Sequence, residues 1–174
     1  MERVTHIRER LSKPLEINFL NEILESVIQY PEDFNLLYQL IGDDEHTISW
    51  RAAWACDKLS RLYPDWFLGK EEELMSALFT CRHDGKKRLI LSILFNIPAP
   101  SEFPVKLLDY SLQHMFDHNE SIAAQSLYIK MAYKLCLVEP ELMQELKLYL
   151  ENAEIEYYST AVKTCVRNVL RKLN

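Results

Sequence analysis

The sequence predicts an all-α chain built from repeated pairs of helices. Only three glycines occur among 174 residues, and a sheet protein of this length would need more of them for its tight turns. Four proline-containing segments of similar composition recur along the chain, and apolar residues between them follow helical spacing. The length suits one domain or a short repeat array that buries a core without disulfides or metals.

The first repeated feature is a helix entrance. It appears as "YPEDF" at 30–34, "YPDWF" at 63–67, "APSEF" at 99–103 and "EPELM" at 139–143, and its prolines stand 33, 36 and 40 residues apart. Proline fits the first turn of a helix, where its missing N–H would be unpaired anyway. The acid that follows suits the positive end of the helix dipole. Each segment therefore predicts a helix that begins at its proline: Pro31, Pro64, Pro100 or Pro140.

A second series of helix starts lies between these entrances, at "DDEHTISW", "HDGKKR", "DHNESIA" and "EYYSTAV". Two helices in every 33–40 residues is the period of an α-solenoid. The sequence predicts one domain, 1–174, with about four helix pairs at 31–62, 63–97, 98–138 and 139–174. Residues 1–30 are expected to add N-terminal capping helices.

Two segments show where their helices lie in such a stack. Residues 89–97, "LILSILFNI", are apolar nearly all round, which predicts a helix covered on both sides. The last segment alternates an apolar stripe, ending at Val169 and Leu173, with a face of cations and polar residues. This pattern is typical of an end-capping helix that meets water.

The segment "SWRAAWACDKL" at 49–59 resembles the second helix of HEAT repeats, in which an arginine precedes small alanines. The third and fourth repeats depart from this pattern because they have no arginine at the aligned position. The resemblance implies a right-handed αα-superhelix and a protein-binding scaffold; one HEAT-like branch, the bacterial DNA alkylation-repair glycosylases, binds DNA. It also implies that Arg51 and Arg88 form a structural ladder with acids of the adjacent repeat.

Charge divides between the two helix sets. The first helices and their leading turns carry a net charge of −14, whereas the second helices carry +9. In HEAT-like folds the second helices line the concave side, so the resemblance predicts a basic groove that would attract an acidic partner. The alternative is that lysines late in a helix complement its dipole and that opposite charges on neighbouring helices pair.

Several residues are candidates for this groove. Lys86, Lys87 and Arg88 would place three cations in one first helical turn, unless Asp84 caps the helix and the acids at 71–73 neutralise them. Trp50 and Trp54 share a helical face and would either stack against a partner or belong to the core. The predicted binding residues are Trp50, Arg51, Trp54, Lys58, Lys86, Lys87, Arg88, Lys130, Lys134 and Arg167.

Metal and catalytic chemistry have little support in the sequence. His114 and His118 are four residues apart and form a weak candidate pair for a metal, but they lack a third ligand and the H-E-x-x-H glutamate. Nucleophile and phosphate-binding motifs do not occur. The sequence therefore predicts no cofactor and favours binding over catalysis.

The expected partner is another protein or an acidic peptide. A net charge of −6 disfavours a nucleic-acid backbone, which leaves a nucleic-acid-binding protein resembling the alkylation-repair branch as the alternative. The charged N-terminus and the absence of a long apolar run predict a cytoplasmic protein without membrane contact. The four cysteines are spaced unlike zinc ligands and are expected to be buried free thiols.

Overall fold

The structure, a computed structural model, describes residues 2–14, 18–100 and 102–173, and side chains from residue 6 onward. The described residues form α-helices and short 3-10 helices but no strand, which confirms the all-α prediction. No described helix has both the length and the apolar character that a membrane crossing requires. The α-helices are α1 Glu2–Ser12, α2 Phe19–Gln29, α3 Phe34–Gln39, α4 His46–Leu62, α5 Glu71–Thr80, α6 Asp84–Asn96, α7 Val105–His114, α8 Ile122–Cys136, α9 Met143–Glu151 and α10 Thr160–Leu173.

The proline marks begin helices in three of the four repeats. Pro31, Pro64 and Pro140 each occupy the first position of a 3-10 helix, after a residue whose backbone is not helical. The fourth prediction is wrong, because Pro100 lies in an irregular segment and α7 begins only at Val105, after Pro104. Pro104, four residues further along the chain, is the N-cap of α7 and not its first helical residue.

The chain divides into two compact units, Met1–Pro98 and Ala99–Asn174. Unit 1 holds α1 to α6. Its second helices α4 and α6 run parallel, since Trp50 lies beside Gly85 near their starts and Asn96 donates a hydrogen bond to Ser60 Oγ, at 3.0 Å, near their ends. Helices α1 and α2 pack on α3 and α4 as a further pair.

The repeated "YPEDF" and "YPDWF" segments contact each other within unit 1. Their closing aromatics, Phe34 and Phe67, are buried with ring centroids 4.8 Å apart in an edge-on arrangement. Tyr38, one turn after Phe34, adds a third ring 6.2 Å from Phe67. The repeated motif therefore places matching aromatics at the contact between successive first helices.

Unit 2 holds α7 to α10 and repeats the parallel arrangement of second helices. Cys165 Sγ of α10 lies 3.3 Å from the Ser126 carbonyl of α8, and Lys172 Nζ lies 5.4 Å from the centre of the Tyr133 ring. As predicted, α10 is amphipathic: Val162, Cys165, Val166 and Val169 are buried, while its other side meets water. The prediction of about four helix pairs with additional N-terminal helices is confirmed; that of a single domain stays a prediction.

The second helices follow a constant period. They begin at His46, Asp84, Ile122 and Thr160, so that successive starts are 38 residues apart. All four starts fall inside the segments that the sequence singled out. In this register Arg51 corresponds to the buried Leu89, and Arg88 corresponds to Trp50. The two arginines therefore occupy different faces of their helices. The prediction that both belong to one structural ladder with acids of the adjacent repeat is wrong.

The cysteines are all free thiols, but one of them is not buried. Cys56, Cys136 and Cys165 lie in the core, whereas Cys81 is partly exposed at the end of α5. Burial raises the pKa of the Cys56 and Cys165 thiols, and burial together with the charge of Glu145 raises the pKa of Cys136 to about 11. The thiolate is the reactive form of cysteine. Burial therefore protects these three thiols in two ways: it limits access of reagents, and it raises the pKa so that less thiolate forms.

We expect Ellman's reagent to modify one thiol rapidly in the native chain at about pH 8, and the other three only after unfolding. Cys81→Ser should abolish the fast phase, while Cys165→Ser should leave it intact. Thiol release measured at native and denaturing urea concentrations checks both variants. A fast phase that survives in Cys81→Ser would contradict the assigned burial.

Candidate functional site

The exposed side of α4 carries aromatic and cationic residues in one row. Trp50 and Trp54 are half-buried and stack with ring centroids 5.6 Å apart at an interplanar angle of 27°. Lys58 and Arg61 continue the row on the following turns and are exposed. Most of the other α4 residues are buried. We call Trp50, Trp54, Lys58 and Arg61, together with Arg88 of α6, the unit 1 stripe.

Arg88 joins the stripe because α4 and α6 run parallel. Trp50 lies beside Gly85, and Arg88 is one turn further along α6. Arg61 links the same two helices further on: its Nη2 is 3.2 Å from Asp57 Oδ1 and donates a hydrogen bond to Ser92 Oγ. Among the described side chains, neither Lys58 nor Arg88 forms an ion pair.

Gly85 makes the close approach of Trp50 to α6 feasible. A Cβ at this position would lie 3.3 Å from Trp50 Nε1 and 3.2 Å from His83 Cε1. Both separations are shorter than ordinary van der Waals contact. A side chain on residue 85 therefore has to displace the indole or the imidazole.

We expect Gly85→Ala to change the tryptophan emission spectrum of the native protein. The gain in helix propensity, up to about 1 kcal/mol, should be largely offset by this contact, so the free energy of unfolding stays within about 0.5 kcal/mol of the parent value. Gly42→Ala is the matched control because a Cβ there meets nothing within 4 Å. An unchanged emission spectrum in Gly85→Ala would contradict the packing of Trp50.

Arg51 lies on the inner side of α4 and has a structural contact instead of a surface role. It is 9% exposed, and its Nη1 donates hydrogen bonds to the carbonyls of Leu11 at 2.7 Å and Lys13 at 2.5 Å. Its guanidinium also lies 5.3 Å from the centre of the Phe19 ring. Leu11 lies in the last turn of α1 and Lys13 directly follows it, and backbone acceptors at this end of a helix have no helical partner. Arg51 therefore caps α1 and is not accessible to a partner protein.

The first turn of α6 differs from both sequence interpretations. His83, not Asp84, is the cap: its Nδ1 accepts a hydrogen bond from the Lys86 backbone N–H at 3.1 Å. In the described part of the chain, the acids at 71–73 form no ion pair with Lys86 or Arg88. Lys86 and Lys87 are half-buried and lie outside the unit 1 stripe.

Lys86 instead lines a cavity of about 510 Å³ in unit 1, where α4 and α6 begin. Arg82 and Lys86 share its wall with Asp43, Asp44 and Glu73, so the cavity carries both charges. Two of the acids have partners: Asp43 accepts from Arg8 Nε at 2.7 Å, and a hydrogen bond to Glu73 contributes, after burial, to the raised pKa of Tyr38. This balance of charges favours no single ligand chemistry.

Unit 2 has a shorter exposed row on its second helices. Lys130 is exposed on α8, and Lys134 is half-buried one turn later, where burial lowers the pKa of its ammonium group. Arg167 is exposed on the outer side of α10, in register with the buried Ala53 of α4, and so does not belong to this row. Lys172 does belong to it, although neither Lys172 nor Arg61 is among the predicted binding residues.

A regular spacing could have revealed the missed Lys172. Lys58, Lys134 and Lys172 each stand twelve residues after the start of their helix, in register with the 38-residue period. The 38-residue period is hard to recognise in the sequence because the proline marks are 33, 36 and 40 residues apart. A register taken from the second helices alone would have aligned these lysines.

The two histidines of "HMFDH" do not form a metal pair. Helix α7 ends at His114, so His118 does not share its face. His114 Nδ1 lies 3.0 Å from Glu120 Oε1, whereas the His118 ring stacks on Tyr158 at 4.7 Å. Within the described ranges, no group of three or more His, Cys, Asp or Glu side chains is arranged to hold a metal.

The stacked helix pairs define a helical repeat protein, and comparison with known families gives the family. The family model described as a HEAT repeat domain matches residues 7–173. The chain therefore belongs to the HEAT repeat family, which confirms the resemblance drawn from residues 49–59. HEAT repeats commonly mediate protein interactions through the surfaces of their stacked helices. Searches of curated proteins and of solved structures gave no match.

Proposed function

We propose that the chain is a non-catalytic scaffold whose second helices bind an acidic segment of a partner protein. The observation that carries the proposal is the unit 1 stripe, in which a half-buried tryptophan stack is followed on α4 by the exposed Lys58, with the half-buried Arg88 on the neighbouring α6. Paired aromatic rings beside cations are the residue types that dominate binding energy at protein interfaces. The second helices of unit 2 also carry cations that could bind acidic groups, namely Lys130, Lys134 and Lys172.

The unpaired cations support an acidic partner. Most of the chain's acids lie on the first helices and their leading turns, whereas Lys58 and Arg88 lie on the second helices and form no ion pair with any described residue. A carboxylate placed between them would gain two favourable charge interactions while an apolar neighbour covers the indoles. The net charge of −6 repels a long polyanion at a distance and so disfavours its binding. The same charge disfavours the binding of a short acidic segment less.

A labelled acidic peptide with one aromatic anchor tests this proposal on the full chain. We expect saturable binding by fluorescence anisotropy, weakened about tenfold or more in Trp54→Ala because truncation of a central aromatic typically costs above 1 kcal/mol. Lys58→Glu and Arg88→Glu should each weaken binding and flatten its salt dependence. Lys106→Glu, a charge reversal on an exposed residue of α7, is the matched control.

Equal losses in Lys58→Glu and Lys106→Glu would contradict the proposal, since they would indicate only a response to net charge. A labelled DNA duplex at about 50 mM salt provides the competing outcome. Micromolar duplex binding that falls steeply with salt, together with no peptide binding, would favour the nucleic-acid-binding alternative and overturn the acidic-peptide assignment.

A further inference from the structure

We propose that the first-helix side of unit 2 is a second docking surface, which takes a basic amphipathic segment of a partner protein. The surface centres on α9 and is called here the α9 groove, defined by Leu112, Leu142, Glu145, Leu146, Leu148 and Tyr149. It uses different helices from the second-helix rows and selects the opposite charge. Its test is therefore independent of the function proposed above.

The α9 groove contains two adjoining cavities with common walls. A smaller cavity of about 130 Å³ is lined by Leu112, Leu142 and Leu146, among other apolar side chains, and a wider, open one of about 550 Å³ is lined by Leu148 and its neighbours. Glu145 and Tyr149 belong to both cavities. An apolar cavity close to 150 Å³ holds a benzene molecule, so the smaller one suits a single leucine or phenylalanine side chain.

The wall between the cavities is fixed by Tyr149. Its hydroxyl donates a hydrogen bond to the Leu112 carbonyl at 3.0 Å, and its ring lies nearly parallel to Phe116 with centroids 6.1 Å apart. Leu148 is 49% exposed and Tyr149 is 43% exposed beside this wall. Two neighbouring large apolar side chains that meet water next to an apolar cavity are typical of an interaction surface.

Charge complementarity identifies the occupant. Residues 139–156 carry six acids and one lysine. Glu145 lies on the rim of both cavities, Glu141 precedes it by one turn, and among the described residues neither forms an ion pair. The charge of Glu145 contributes, after burial, to the raised pKa of Cys136 inside the smaller cavity. A segment with an apolar anchor flanked by lysine or arginine would satisfy both the cavities and these carboxylates.

The test uses the full chain and a labelled synthetic helix with leucine and phenylalanine on one face and lysine on the other. We expect saturable binding, weakened about tenfold by Leu148→Lys, which removes apolar burial and opposes the probe charge. Glu145→Lys should weaken binding about fivefold and reduce its salt dependence. Ile122→Lys is the matched control, because Ile122 is 53% exposed and lies in the same unit. It stands about 20 Å along α8 from Cys136.

Two further probes complete the experiment. A scrambled peptide of the same composition loses the apolar face, and we expect it to bind at least about tenfold more weakly. A peptide with glutamate in place of every lysine should not bind the α9 groove. The proposal is overturned if the scrambled peptide binds as well as the amphipathic one, if Leu148→Lys and Ile122→Lys have equal effects, or if the amphipathic peptide does not bind. Failure of the acidic-peptide test at the unit 1 stripe would leave these results unaffected.

Discussion

Phe67→Ala is expected to lower the free energy of unfolding of unit 1 by about 4 kcal/mol. Phe67 is fully buried and packs against Phe34 and Tyr38, with centroids 4.8 and 6.2 Å away. Truncating a buried phenylalanine removes its transfer free energy and leaves a cavity, at a typical cost of about 3–5 kcal/mol. Because this ring joins successive first helices, the cavity would separate two repeats instead of loosening a single helix.

Urea denaturation followed by tryptophan fluorescence measures this effect in unit 1, since all three tryptophans, Trp50, Trp54 and Trp66, belong to it. Leu68→Ala is the matched control, because Leu68 is the next residue and is 57% exposed. We expect the control to change the free energy of unfolding by about 0.5 kcal/mol or less. Comparable losses in the two variants would contradict the role of the aromatic contact.

Arg51→Met should lower the free energy of unfolding of unit 1 by about 3 kcal/mol. The substitution keeps an apolar stem but removes both hydrogen bonds to the carbonyls of Leu11 and Lys13. A hydrogen bond to a charged group contributes about 1.5–3 kcal/mol, and a buried acceptor left without a partner adds a desolvation cost. The loss of the cation beside the Phe19 ring acts in the same direction.

Lys58→Met on the same helix is the matched control. It also replaces a cation by methionine, but at an exposed position, so it separates the effect of losing the buried contacts of Arg51 from the effect of losing a charge. Lys58 is exposed, so we expect its substitution to change the free energy of unfolding by no more than about 0.5 kcal/mol. The same urea titration applies to both variants. Equal and small effects would show that Arg51 does not cap α1, whereas a large loss confined to Arg51→Met supports the cap.

Local features of the sequence predicted most helix positions. Proline at the first helical position depends only on its own geometry and on the missing N–H, and Pro31, Pro64 and Pro140 all begin helices. The exception, Pro100, shows the limit of this signal. A second proline, Pro104, stands four residues later, and α7 begins directly after it.

The assignment of side chains to faces was less successful. Arg51 and Arg88 look equivalent in the sequence, yet one caps α1 in the interior and the other is half-buried on α6 without an ion pair among the described residues. Helical spacing favours a core position for at least one of Trp50 and Trp54, yet both are half-buried. In each case the outcome depends on which neighbouring helix covers the face, and that neighbour lies tens of residues away in the chain.

Helix type, helix order and the amphipathic end helix follow from interactions within a few residues, namely capping, backbone geometry and apolar periodicity, and they could be written down before any coordinates. The pairing of charges could not, because an ion pair depends on distances of a few ångströms between helices from different repeats. Asp43 is paired with Arg8, whereas Lys58 and Arg88 have no acidic partner among the described residues. Only the packing of the helices decided which cations and apolar side chains face water and are available to a partner.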